Sequence, residues 1–95
     1  MIIGLPKETL PGETRIAVLP PEIKQLTSDI LSFQLEKGAG LDAYFSDESY
    51  IKSGAEVVLN VYSNSNVIIR INPPSIDEVG KLKEGSCLVS LINPF

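Results

Sequence analysis

Short β-branched runs separated by stretches of helical spacing recur along this chain, and that alternation leaves few folds open. Ile2-Ile3-Gly4-Leu5 reads as a first strand that stops at Pro6. Pro11-Gly12 marks a loop, and the extended run Arg15-Ile16-Ala17-Val18-Leu19 ends at Pro20-Pro21. Pro21 suits the first turn of a helix, where its missing N–H is not needed. Ile23, Leu26, Thr27 and Ile30 then recur at helical spacing. Leu31 to Leu35 is the next extended run, closed by Gly38-Ala39-Gly40. Ser46-Asp47-Glu48 predicts a helix start, with acids where the helix dipole favours them, and Gly54 its end. Val57-Val58-Leu59 is a strand, Asn60 to Asn66 a polar connection, and Val67 to Ile71 the clearest strand of all, ended by Asn72-Pro73-Pro74. Ser75 with Glu78 forms a capping box for a helix reaching about Lys83, and Cys87 to Ile92 is a last apolar strand.

Strands alternating with helices imply a mainly parallel sheet covered on both faces. Right-handed crossovers make this a doubly wound open α/β sheet, flavodoxin-like in kind. A chain of 95 residues has room for one such domain, residues 1–95. The last strand is apolar at nearly every position and is expected to be buried on both faces, yet the sequence runs only to Phe95. The expectation is therefore a sheet incomplete at its C-terminus, the N-terminal part of a longer polypeptide.

Composition removes several functions. Eight Lys and Arg face twelve Asp and Glu, for a net charge of −4, which argues against nucleic-acid binding. There is no histidine, so Ser-His-Asp and Cys-His catalysis cannot occur within this chain. One cysteine, Cys87, can neither form an internal disulfide nor supply a zinc site of the usual Cys/His kind, and no metal site is expected. No apolar run approaches the ~20 residues of a membrane span, and no signal peptide is visible, so the expected location is the cytoplasm.

Gly38-Ala39-Gly40-Leu41-Asp42-Ala43 matches the dinucleotide fingerprint letter for letter. That fingerprint works where its glycines open a helix; here the helix start at Ser46 comes after the motif, and Glu56 precedes its strand, so a glycine turn is the better account. Glu8, Glu13 and Arg15 lie in the loop after the first strand. Arg15 either grips a carboxylate or phosphate, or joins these acids in an ion pair that fixes the loop. Arg70 sits between Ile69 and Ile71, where a charge must pair or reach the sheet edge. Asn72 and Asn93 occupy the ends of their strands, on the rim of the same crevice. Tyr44, Phe45 and Tyr50 read as packing residues, Lys81, Lys83 and Glu84 as a solvated face, and Cys87 as inert core.

Ile3-Gly4-Leu5-Pro6-Lys7-Glu8, Gly12-Glu13-Thr14-Arg15-Ile16-Ala17, Pro20, Gly38-Ala39-Gly40 and Gly54-Ala55-Glu56-Val57-Val58 come in an order that resembles one family. It is the N-terminal domain shared by alanine dehydrogenases and the alpha subunit of proton-translocating NAD(P) transhydrogenase. The resemblance implies an α/β domain beside a separate Rossmann domain that carries NAD and is absent here. Alanine dehydrogenases look like Lys-Val-Lys-Glu-Pro where this chain has Arg70-Ile71-Asn72-Pro73-Pro74, and they carry a catalytic histidine where Asn93 stands. Arg15 matches the family's substrate-carboxylate arginine. The pattern is closer to the transhydrogenase alpha subunit, which implies no catalytic residue here, no cofactor bound by this segment, and NAD and NADP in the full enzyme. Arg15, Arg70 and Asn72 are then vestigial substrate-binding candidates. Implied partners are the NAD-binding domain of the same chain, the transhydrogenase membrane subunits and a second copy as a homodimer, with peripheral location at the inner membrane. The alternatives are a fragment of an alanine dehydrogenase or saccharopine dehydrogenase-like oxidoreductase, or a non-enzymatic α/β module that binds a small ligand.

Overall fold

The computed structural model describes residues 1–8, 14–72, 77 and 80–90. Its strands are β1 (Ile2–Leu5), β2 (Ser32–Glu36), β3 (Glu56–Val58), β4 (Val67–Arg70) and β5 (Cys87–Ser90), with helices α1 (Pro20–Leu26) and α2 (Asp47–Lys52). All neighbours pair in parallel, in the order β3-β2-β1-β4-β5. The class is the open parallel α/β sheet expected. Within it, the order differs from the 2-1-3-4-5 of flavodoxin: β3 adds outside β2, and the chain crosses back to β4 only afterwards. Asn66 stands at that return. Its N–H donates to Ile2 O at 2.8 Å, its Oδ1 accepts from Ile2 N at 2.7 Å, and its carbonyl accepts from Cys87 N at 2.9 Å. Two of these are main-chain bonds that open the ladders of β4 with β1 and β5, and the side-chain bond from Ile2 N is the one that asparagine adds.

Side chains alternate across the strands, and each face of the sheet has a core. On the first, Leu5, Phe33 and Leu35 pack with Ile23 of α1, Tyr50 of α2, and Ile16 and Val18 of the connecting loop. The run expected to be extended from Arg15 to Leu19 forms no strand; its role is to lay these two residues on the sheet. On the second face, Ile68 packs with Val61 and Tyr62 from the turn before β4, flanked by Leu82 and Leu88. Gly4 makes this second layer possible. A Cβ there would lie 2.3 Å from Ser65 Oγ and 2.7 Å from Ile68 Cδ1. Gly4→Ala is expected to destabilise the domain by ~1–3 kcal/mol through overpacking, seen as a lower urea midpoint with an unchanged slope.

The helices are short for identifiable reasons. Glu22 accepts from Leu19 N at 2.9 Å and closes the start of α1, where Pro20 and Pro21 fill the first two positions. The Thr27 hydroxyl donates to Ile23 O at 2.7 Å and its backbone is extended, so α1 stops at Leu26. The expected apolar stripe therefore ends early: Ile23 is buried, while Leu26 and Ile30 are exposed. Ser46 caps α2 by accepting from Ser49 N at 3.2 Å, with Asp47 and Glu48 in the first turn, as the sequence predicts. Gly54 ends it at φ 109°, a left-handed conformation that suits glycine.

At the far edge β5 is left uncovered among the described residues, with Cys87 and Val89 exposed, and the reading of Cys87 as core fails. The thiol is thus at the surface and not in the core, because no element among the described residues covers the outward face of β5. The helix expected from Ser75, and Asn93-Pro94, fall largely or wholly outside the described residues.

Candidate functional site

In an open α/β sheet the crevice lies at the carboxyl ends of the strands, where the strand order reverses. Here that point is the gap between β1 and β4. Arg70 is the last residue of β4 and points to the second face, where its side chain is buried. Its Nη1 donates to the Tyr62 hydroxyl at 3.2 Å, and its Nη2 lies 3.6 Å from Glu8 Oε1. Glu8 comes after β1, beyond Pro6 and Lys7, and turns into the gap. Its Oε2 accepts from Ile71 N at 2.8 Å, and its Oε1 from Asn72 N at 3.1 Å and Asn72 Nδ2 at 3.5 Å. The Ser90 hydroxyl donates to Ile71 O at 3.2 Å, which ties β5 to the same place.

Two of the three sequence-predicted residues, Arg70 and Asn72, thus meet on one carboxylate. Arg15 is exposed on the loop that returns from β1. Of the acids expected near Arg15, Glu8 is drawn to Arg70, and Glu13 lies outside the described residues. Tyr62 is the member of the cluster that sequence reasoning misses. It sits in a polar run, but Asn60 two residues earlier accepts from Tyr62 N at 2.9 Å, an Asx turn that the sequence signals through asparagine.

The glycine turn is accounted for by packing. Gly38 has φ 78° and its N–H donates to Asp47 Oδ1 at 2.9 Å. A Cβ on Gly40 would lie 2.6 Å from the Tyr50 ring and 2.8 Å from Phe45 O. The glycines lead into a single 3₁₀ turn, Leu41–Ala43, and not into a helix long enough to face a pyrophosphate. These residues do not fit a dinucleotide. Of the three aromatics, Tyr50 is wholly buried, Phe45 meets it edge-on at a centroid distance of 6.4 Å, and Tyr44 is exposed in a left-handed turn with φ 66°, contrary to a packing role.

The Tyr50 hydroxyl donates to Val18 O at 2.9 Å and so holds down the loop that leads from Arg15 to α1. Burial, with a smaller push from Glu22, raises this phenol from 10.0 to about 12. The folded chain therefore keeps the proton where the unfolded chain loses it. Stability from this group is complete below about pH 10 and is lost as pH rises through 12, by roughly 3 kcal/mol in all. Urea midpoints measured between pH 9 and pH 12 should fall along that range, about in step with the phenol.

The fold and this strand-end cluster define a parallel α/β domain in which Glu8 and Arg70 pair at the gap between β1 and β4. Comparison with known proteins makes the class specific. A family model described as alanine dehydrogenase/PNT, N-terminal domain, matches residues 4–95, and the chain belongs to that family. It is 33% identical over 93 residues to the NAD(P) transhydrogenase subunit alpha of Haemophilus influenzae, covering 97% of this chain and 18% of that protein. It is 32% identical over 96 residues to the alanine dehydrogenase of Methanococcus maripaludis, covering 98% of this chain and 26% of that one. Among solved structures, the transhydrogenase from Sinorhizobium meliloti superposes with a TM-score of 0.92 at 29% identity, over 100% of this chain and 29% of the other. The chain therefore spans less than a third of the length of these relatives. Among the described residues, no helix is long and apolar enough to cross a membrane.

Proposed function

We propose that this chain is the N-terminal segment of an NAD(P) transhydrogenase alpha subunit. The complete enzyme passes hydride from NADH to NADP, coupled to proton movement through membrane subunits. Residues 1–95 serve as a scaffold beside the NAD-binding domain of the same polypeptide, in a homodimer, peripheral to the membrane. Hydride transfer between two nicotinamides is chemistry of the cofactors, and the protein supplies their binding and orientation. NAD and NADP are held outside this segment, and none of its residues is catalytic.

The observation that supports this reading is the state of Asn72. An amino-acid dehydrogenase needs a cation and a base at the carbonyl of its substrate. At the position where the alanine dehydrogenase pattern has a lysine, this chain has a buried amide whose N–H groups are turned to Glu8. Arg70, its neighbour in the strand end, is turned to the same carboxylate and to Tyr62. Arg15, Arg70 and Asn72 then remain as remnants of a substrate pocket. The test is spectrophotometric. The complete polypeptide with its membrane subunits should reduce NADP at the expense of NADH, and residues 1–95 alone should not. NADH-dependent amination of pyruvate by the complete polypeptide, abolished by Arg15→Ala, would replace this reading with an alanine dehydrogenase.

A further inference from the structure

The gap between β1 and β4, where open α/β sheets receive anions, is filled in this chain by one of its own side chains. Ile71 N and Asn72 N, two successive main-chain donors, each meet a different oxygen of Glu8, at 2.8 and 3.1 Å. Asn72 Nδ2 at 3.5 Å and Arg70 Nη2 at 3.6 Å complete the set around Oε1. Paired N–H groups on both oxygens of one carboxylate, with a guanidinium beside them, make a general receptor for carboxylates. The donors all come from three consecutive residues at the end of β4. The acceptor comes from a loop 63 residues away in sequence. The receptor is therefore local to β4, and the carboxylate is brought to it. Both charged side chains are almost entirely shielded from solvent, at 2% exposure for Arg70 and 4% for Glu8, so the interaction is weakly screened.

We propose that Arg70, Ile71 and Asn72 form a carboxylate-binding site whose resident ligand is Glu8. Removing the Glu8 carboxylate then creates a site for a free monocarboxylate the size of formate or acetate. In the intact chain the site is closed to such ligands, and the loop leading to Arg15 is fastened at its start by a bond that a free carboxylate imitates. This inference concerns only groups on β4 and in the loop after β1, and stands independently of the hydride-transfer reading.

Chemical rescue tests it. Thermal unfolding of the 95-residue chain is followed by circular dichroism in sodium formate and in sodium chloride at equal ionic strength. The native chain should unfold at the same temperature in both salts. Glu8→Ala should unfold at a lower temperature in chloride and recover in formate, with a dependence that follows ligand linkage to the folded state. If Glu8→Ala is unfolded in chloride, formate should restore its folded signal. Glu8→Gln keeps the gap filled and should show no formate response. Glu8→Ala combined with Arg70→Met should lose the rescue. A Glu8→Ala chain, folded or not, that gains no more from formate than the native chain overturns the inference. So does an equal response in Glu8→Gln, which would mark a general salt effect.

Discussion

Arg70→Met is expected to lower the unfolding free energy by about 3–5 kcal/mol, the usual result of removing one partner from a buried ion pair. Glu8 would keep its hydrogen bonds from Ile71 N and Asn72 N but lose the guanidinium placed against it. Methionine fills much of the stem's volume, so the loss reports charge more than packing. Against a total of about 5–15 kcal/mol for a domain, a change of that size displaces the urea midpoint far beyond what surface substitutions do. Adding Glu8→Gln to Arg70→Met removes the stranded charge while keeping an oxygen for one of the backbone donors. The double variant should therefore be more stable than Arg70→Met alone, a sign that single substitutions cannot give. A midpoint for Arg70→Met within experimental error of the native chain would mean that the Glu8 carboxylate is not held where the structure puts it.

That cluster also shows how far the sequence carries. Arg70 within an apolar strand announces a buried charge that needs a partner, and the need comes from solvation alone. Which acid answers is a matter of strand order: Glu8 reaches Arg70 only because β4 lies directly beside β1. At the start of β4 that order is accompanied by Asn66, whose main chain bonds to Ile2 and Cys87 and whose side chain adds a bond from Ile2 N. An asparagine in a polar run looks like any turn residue until its partners are known. The local rules succeed where the physics is local. Ser46 caps α2, Gly54 ends it, and the glycines of residues 38–40 make a turn, since each depends on neighbours a few positions away. They fail where a nearby side chain redirects the backbone, as Thr27 does at the end of α1, or where exposure depends on what covers a strand, as at Cys87 in β5. Periodicity reports which residues can share a face. It does not report whether that face has a neighbour.

Tyr50→Ala is the second large expected effect, again about 3–5 kcal/mol, the range for deleting a buried aromatic side chain. Three things are lost together. The ring fills the centre of the first core beside Phe33 and Leu35, so its removal leaves a cavity. Gly40, which tolerates no Cβ because the ring lies 2.6 Å from where one would be, loses the neighbour that sets its turn. The Val18 carbonyl loses its donor in a buried place, a further penalty of about 1–3 kcal/mol where no water replaces it. The last of these distinguishes the site from ordinary core. Because Val18 belongs to the loop between Arg15 and α1, hydrogen exchange should rise first at residues 16–19 and only afterwards in β1 and β2, whose ladders are intact. The share of the alkaline decline that the Tyr50 phenol contributes between pH 10 and pH 12 should be absent from the same variant, since that group is gone. A variant that loses stability uniformly, with its loop no more exposed to exchange than its strands, would place Tyr50 in the core alone and deny it any part in holding the loop that carries Arg15.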